Sequence, residues 1–367
     1  MSERNLTAVV LAAGEGTRMH SSLPKPLHLL SGRAMVLYVL DALTECDVER
    51  AVVVVGYGAE RVTKALQEEA GGLAIDFVEQ VQQRGTADAL SVGLTAFVDD
   101  DLDDADVVVL PGDTPLLRAS TLARLVREHQ LSGASCTVLT AESDVATGYG
   151  RVVRGKDGNV VRIVEEHDAT PEERELTEWN TSIYCFRRSL LAPALRRITP
   201  DNAQGELYLT DVVEVLHDAG YPIVPVLADD DTEAQGINDR YQLANAEAEL
   251  WRRTNEAWLR AGVTMVDPST TYIDATVRLA PDVTLFPGTL LQGGTVIGEA
   301  AQIGPDTRLV DCTVGEGAVV EHTVGRHADI GAGAIVGPYA VLEPGAHIVP
   351  GTRTGPFYTA IGEEAGR

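Results

Sequence analysis

The chain has 367 residues, enough for two cores, and at 44% hydrophobic and 23% charged it has the balance of a soluble globular protein. Against 55 acidic residues stand 29 basic ones, and the net charge of −26 argues against duplex nucleic acid or an anionic membrane as partner. No apolar stretch approaches the roughly 20 residues that span a bilayer, the opening MSERNLTAVV has no signal-peptide pattern, and four scattered cysteines (Cys46, Cys136, Cys185, Cys312) point to a reducing cytoplasm.

The first predicted strand is the apolar run TAVVLAA, residues 7–13, and it ends in the loop GEGTRM. Glycines lack Cβ, so such a loop can curl and aim backbone N–H groups at an oxyanion. Arg18 and Lys25 add the positive charge that the chain otherwise lacks. The loop does not fit G-x-x-x-x-G-K-[ST], and it lacks the third glycine of G-x-G-x-x-G. Taken alone it has two readings, a phosphate-wrapping loop or a plain strand-to-helix turn. His28, in PKPLH, reads as structural, and the eight histidines form no metal spacing.

Helix AMVLYVLDALTE (34–45), strand AVVVVG (51–56), helix AERVTKALQEE (59–69), strand AIDFVEQ (74–80) and helix TADALSVGLTAF (86–97) follow. Then come an acidic stretch, DDDLDDAD (99–106), read as a solvated loop, strand DVVVLPGD (106–113) and helix STLARLVREHQ (120–130). Such alternation indicates a mostly parallel sheet covered on both faces, with ligands at the carboxyl ends of its strands. Asp113 stands just past a strand. A carboxylate there suits Mg²⁺ when phosphates supply the remaining oxygens, and it suits a helix cap or turn as well.

Residues 238–259 carry one long helical pattern, which reads as a connector. Beyond Gly262, Ile273, Leu279, Leu285, Leu291, Ile297, Ile303 and Leu309 recur every six residues. Val314, Val319 and Val324 step by five, and Ile330, Val336, Leu342 and Ile348 resume the six. One aliphatic per hexapeptide is the signature of a β-solenoid, with these side chains pointing into its core. The expected organisation is an α/β domain over 1–237, a connecting helix over 238–262, and a left-handed parallel β-helix over 263–367.

LAAGEGTRMHSSLPKPLHLLSGRAM resembles the signature of the sugar-1-phosphate nucleotidyltransferases. QVQQRGTADA, LPGDTPL, GYGRVVR, IVEEHDATPEER, EWNTSIY, NAQGELYLTD and GINDRYQLA follow in that family's order. Together they resemble the N-acetylglucosamine-1-phosphate uridyltransferases, the first half of bifunctional enzymes that also carry a left-handed β-helix. The resemblance implies a Rossmann-like nucleotidyltransferase domain and Mg²⁺-dependent transfer from UTP to N-acetylglucosamine-1-phosphate. It implies that Leu11, Ala12, Ala13 and Gly14 hold the uracil and phosphates, and that Gln80, Gly85 and Thr86 contact the base. Arg18 and Lys25 would hold the triphosphate, Asp113 and Asn238 the Mg²⁺, and Gly150, Glu165 and Asn180 the sugar phosphate. It also implies a homotrimer.

Two departures stand out. Where the family has an arginine before Pro-Gly on its acetyltransferase turn, VLEPG has Glu343, and Ile361 falls where a lysine is expected. The last acetyl-CoA-binding turns have no counterpart before Arg367. Loss of the acetyltransferase activity is the expectation. Asp88 replaces the usual histidine of Gly-Thr-Gly-His, which opens the nucleotide preference. Two further readings stay open: the same chemistry on another nucleotide or on glucose-1-phosphate, and a silent paralogue acting as a sensor or trimeric scaffold.

Overall fold

The computed structural model describes residues 5–46, 48, 50–69, 71–97, 105–144, 146–156 and 158–362. The chain divides into two compact units, residues 1–28 with 34–242 and residues 29–33 with 243–367.

In chain order the elements are β1 (Asn5–Ala12), β2 (Leu29–Leu30), β3 (Arg33–Ala34), α1 (Met35–Thr44), β4 (Arg50–Val55), α2 (Ala59–Glu69), β5 (Ala74–Glu79) and α3 (Thr86–Leu94). There follow β6 (Ala105–Pro111), α4 (Ala119–Ser132), β7 (Cys136–Glu142), β8 (Arg151–Arg154), β9 (Val160–Val164), α5 (Pro171–Arg174) and β10 (Glu178–Arg187). The series continues with α6 (Arg188–Leu195), α7 (Asp211–Asp218), β11 (Ile223–Leu227) and α8 (Arg240–Arg260). Among the described residues, no helix is long and apolar enough to cross a membrane.

The first unit is built on one sheet of order β11-β7-β10-β6-β1-β4-β5. β6, β1, β4 and β5 run parallel, and β10 runs antiparallel between β6 and β7. The expected mostly parallel, Rossmann-like sheet is therefore present, with β10 reversed; β8 joins it antiparallel to β10, and β9, antiparallel to β8, is reversed as well. From Ala8 onward β1 is apolar because both faces of that part are covered. Ala8 and Val10 pack with α1, α2 and α4 on one side. Val9 packs with α3, α6 and α7 on the other.

Two expectations lie wholly or partly outside the described residues: the N-terminal four residues and most of the acidic stretch. Asp106, which also opens the expected strand, is described, and for that residue alone the solvated-loop reading is corrected. It is wholly buried in β6, 3.4 Å from Nε2 of His129, which is equally buried.

In the second unit, strands of two or three residues stack into three parallel ladders. These are the three faces of the expected β-helix. Thr284–Leu285 pairs with Gln302–Ile303, Leu290–Gln292 with Arg308–Val310, and Val296–Ile297 with Thr313–Val314. The inward row is Ile273, Leu279, Leu285, Leu291, Ile297, Ile303, Leu309 and Val314, then Val320, Gly325, Ile330, Val336, Leu342 and Ile348. The expected inward positions Val319 and Val324 are thus corrected by one residue each. Val320 pairs with Ile303 and Gly325 with Leu309, while Val324 is 41% exposed. The reason is physical. Gly325 fills an inward position with no side chain, so the sequence displays only its outward neighbour.

A second buried row lies two residues before the first, and sequence reading missed it. It holds mostly small residues: Ala301, Ala318, Ala328, Ala334, Ala340, Ala346, Cys312 and five threonines, Thr271, Thr289, Thr295, Thr307 and Thr323, beside Val277 and Val283. Hydroxyls of Thr289, Thr295 and Thr323 donate to the carbonyls of Phe286, Gln292 and Glu321, each at 2.7 Å, so no buried hydroxyl in that group is left unpaired. The visible signal was the Thr or Ala two places ahead of most of the aliphatics.

This register is testable. A Cβ on Gly325 would stand 3.0 Å from Leu309 Cδ2 and 3.4 Å from Cys312 Sγ. Gly325→Val overpacks the core and is expected to cost about 1–3 kcal/mol. Val324→Thr, on an exposed face, is expected to stay within about 0.5 kcal/mol of the parent. Denaturant unfolding of both variants distinguishes the two registers directly.

Candidate active site

A cavity of about 500 Å³ opens in the first unit at the carboxyl ends of β1 and β6. That position, beside the central strand of the sheet, is where α/β sheets bind ligands, and the volume suits a nucleotide-sized molecule. Leu11, Ala12, Ala13, Gly14, Arg18, Lys25, Gln80, Gly85, Thr86, Asp113, Glu165 and Asn238 all line it. Twelve positions scattered over more than 200 residues of sequence are brought to one wall. Gly150 and Asn180 are not among the lining residues. Gly150 packs behind Glu165, and its carbonyl accepts from the Asn180 N–H at 2.9 Å. Asn180 is buried, and its Oδ1 accepts from the Ser182 N–H at 3.1 Å. This turn coincides with a register shift in β10 and puts Thr181 and Ser182 into the wall instead.

The loop after β1 closes as a short 3-10 turn, Thr17–Met19. Gly16 sits at φ +65°, and a Cβ there would stand 2.7 Å from Lys25 Cβ. This glycine is required both by its conformation and by the lysine beside it. Gly14 has nothing within 4 Å of where a Cβ would be, so its face of the loop is open. Lys25 Nζ is held by Asp113 Oδ2 and, at 2.9 Å, by Asn238 Oδ1. The ammonium therefore stands between the two groups expected to hold a metal. His28 is buried, and burial pushes its pKa down, in keeping with a structural role.

At another part of the wall, two of the quoted motifs clasp each other. Leu207 donates its N–H to the Arg84 carbonyl at 2.8 Å and accepts from the Ala87 N–H at 2.9 Å. The Leu209 N–H donates to Thr86 Oγ1 at 2.9 Å. Gly85 lies at the crossing with φ +113°, where a Cβ would meet the Leu207 carbonyl oxygen at 2.5 Å. Asn202 knits the crossing loop, its Oδ1 accepting from the Gln204 and Glu206 N–H groups. Beneath Gly85, Gln80 Nε2 donates to Asp88 Oδ2 at 2.8 Å and to the Gly85 carbonyl at 3.2 Å. Asp88 also accepts from Arg84 at 2.6 Å. Asp88 is buried and is not part of the cavity wall.

The remaining stretch of wall is acidic and hydroxyl-rich. Glu165 accepts from Thr210 Oγ1 at 3.0 Å, and burial raises its pKa. Asp211 follows the wall residue Thr210 without lining the cavity, and burial, with Glu214, Glu165 and Asp168 nearby, pushes it up to about 6. Tyr149, Tyr184 and Tyr208 complete this part, and sequence reading named none of them as site residues. Their signal was only their place inside GYGRVVR, EWNTSIY and NAQGELYLTD.

Asp211 gives a pH prediction. An unfolded aspartate titrates near 3.9, below the folded value of about 6. Between these values the folded protein keeps a proton that the unfolded chain has lost. Stability from this group is present below about pH 4 and is lost as pH rises through 6. The Tm of Asp211→Asn relative to the parent is therefore expected to rise from pH 4 to pH 6.5. Thermal melts across that window check it.

The MobA-like NTP transferase domain family matches residues 8–229, which covers the whole sheet apart from its first three residues. The chain is 49% identical to the bifunctional protein GlmU of Rhodococcus jostii over 332 residues, 89% of this chain and 66% of that protein. It is 44% identical to the bifunctional protein GlmU of Exiguobacterium sibiricum over 353 residues, 96% of this chain and 77% of that protein. The chain belongs to the GlmU family. Its first unit is the nucleotidyltransferase domain of a GlmU-like chain, and the repeats of its second unit are that chain's β-helix. The chain spans about two thirds of the length of GlmU from Rhodococcus jostii and from Mycolicibacterium vanbaalenii.

Proposed function

We propose that this protein transfers the uridylyl group of UTP to N-acetylglucosamine-1-phosphate, giving UDP-N-acetylglucosamine and pyrophosphate. The observation that carries the reading is the Lys25–Asp113–Asn238 cluster, set in one cavity with Arg18, the Gln80 amide and the Glu165–Thr210 pair. Membership of the GlmU family supports it.

The chemistry asks little covalent work of the protein. A phosphate oxygen of the sugar phosphate attacks the α-phosphorus of UTP, a new P–O bond forms, and the bond to the departing pyrophosphate breaks. The attacking group is already an anion, so no side chain has to remove a proton. The difficulty is holding several anions together. Arg18 and Lys25 neutralise the triphosphate, and the open glycine loop aims its amides at it. Gln80 sits where the base would lie, and Glu165 and Thr210 face the sugar.

Asp113 and Asn238 fit a divalent cation. Both offer oxygen, the donor that Mg²⁺ takes, and a cation, the Lys25 ammonium, already stands between them. Among the described residues no group of three or more His, Cys, Asp or Glu side chains could hold a metal, so most ligands would come from phosphates and water. Bound there, Mg²⁺ supplies charge neutralisation on the phosphates. Lys25 would then keep one N–H on Asp113 and turn another to the triphosphate.

Acetyl transfer is not part of this reading. Glu343, an exposed anion, stands where the resemblance asks for a phosphate-binding arginine, and Ile361 is 78% exposed where it asks for a lysine. The β-helix would serve as a trimerisation surface; a monomer in sedimentation at micromolar concentration contradicts that. Pyrophosphate release from UTP and N-acetylglucosamine-1-phosphate, abolished by a chelator and restored by Mg²⁺, tests the transfer. Coenzyme A release from acetyl-CoA and glucosamine-1-phosphate tests the missing activity, and none is expected.

A further inference from the structure

We propose that Asp88, which lies outside the cavity, sets the base preference by fixing which end of the Gln80 amide faces the nucleotide. The inference rests on the reading of this cavity as a nucleotide site. Gln80 is 5% exposed and lines the wall, so only a small part of its amide reaches the cavity. Both neighbours of Nε2 are pure acceptors: the Asp88 carboxylate at 2.8 Å and the Gly85 carbonyl at 3.2 Å. An amide rotated by half a turn would put its oxygen against two oxygens. The rotamer is decided by that repulsion, and what remains for the cavity is Oε1, an acceptor.

Asp88 is itself fixed. Its other oxygen accepts from Arg84 at 2.6 Å, one turn earlier, and its side chain is only 7% exposed. The carboxylate cannot present a donor while ionised, so it cannot support the flipped amide. An acceptor at the wall selects a base whose ring nitrogen carries a proton. Uracil has such an N3–H. Cytosine has the same size but a bare N3, whose lone pair would face Oε1. Burying two acceptors against each other costs far more than losing one contact. The site is thereby set for a uracil-type edge, and the group that sets it does not touch the ligand.

Asp88→Asn tests this while keeping shape. Arg84 draws the new amide's oxygen to itself, which turns its NH₂ toward Gln80 and removes the bar to rotation. The readouts are calorimetric binding of UTP and of CTP without sugar phosphate, and kcat/KM for each nucleotide with it. The parent is expected to favour UTP, and Asp88→Asn to lower the UTP-to-CTP ratio in binding roughly tenfold or more. Asp88→Glu keeps a carboxylate, an acceptor toward both Arg84 and Gln80, and is expected to keep the preference, which covers the case of a poorly folded asparagine variant. An unchanged ratio in Asp88→Asn, equal loss for both nucleotides, or a parent without preference overturns the inference. If the binding ratio shifts and no nucleotide is ever transferred, Asp88's role stands and the proposed reaction falls.

Discussion

Replacing Asp113 by alanine is expected to lower kcat/KM for UTP by about 10²–10³-fold, with the fold intact. Asp113 follows the last residues of β6, and its backbone carbonyl is pinned by the Ile237 N–H at 2.9 Å. Its carboxylate lies against Gly236, where a Cβ would stand 3.4 Å from Oδ1. The side chain is therefore placed by backbone on two sides and has one charged partner, Lys25. Deleting it removes one of the two protein oxygens offered to Mg²⁺ and leaves a neutral amide as the other. The loss should appear chiefly as a rise in the Mg²⁺ concentration needed for half-maximal rate. Asp113→Asn, which keeps an oxygen but not the charge, should fall between alanine and the parent. Steady-state rates over a Mg²⁺ titration measure both. A uniform drop with an unchanged Mg²⁺ midpoint would remove Asp113 from the metal site.

Lys25→Ala is expected to cost about 10²-fold in kcat/KM, and Lys25→Arg to recover little of it. The reason is space. Nζ fits between Asp113 and Asn238, and the stem of the lysine runs against Gly16 with no room for even a methyl group there. A planar guanidinium cannot take the place of a compact ammonium in that slot. Lys25 and Asp113 touch, so their losses should not add: the double alanine variant should be less impaired than the product of the singles. A double-mutant cycle on kcat/KM measures the coupling. Strict additivity would mean that the contact between them has no part in the reaction.

The sequence was most legible where its physics repeats. Apolar runs marked the strands around β1, and a period of six marked the β-helix. The repeat misled where its step shortens after Leu309: Val324 was read as core in place of Gly325, which has no side chain, and Val319 in place of its neighbour Val320. Asp106 shows the opposite failure. It stands in an acidic run, yet it is buried beside a buried histidine, and no local pattern could signal that pairing. Among the site residues, those on one short loop or at a strand end (Gly14, Arg18, Lys25, Asp113) were legible, because loop chemistry is local. The clasp between Gly85 and Leu207 was not, since a contact more than 100 residues apart leaves no period. Gly150 and Asn180 came from motif matching, and the motif does not say which members face the ligand. Asp88 was visible as an oddity, and its contact with Gln80 was not.

The central claim is a uridylyl transfer to an acetamido sugar phosphate, and pyrophosphate release tests it most directly. The measurement pairs UTP, CTP, ATP, dTTP and GTP in turn with N-acetylglucosamine-1-phosphate, glucose-1-phosphate and glucosamine-1-phosphate, in the presence of Mg²⁺, with the product mass determined for each pairing. The account predicts dominant turnover with UTP and N-acetylglucosamine-1-phosphate, and a product with the mass of UDP-N-acetylglucosamine. Dominant turnover in any other pairing, or none at all from a folded protein that binds UTP, would contradict it.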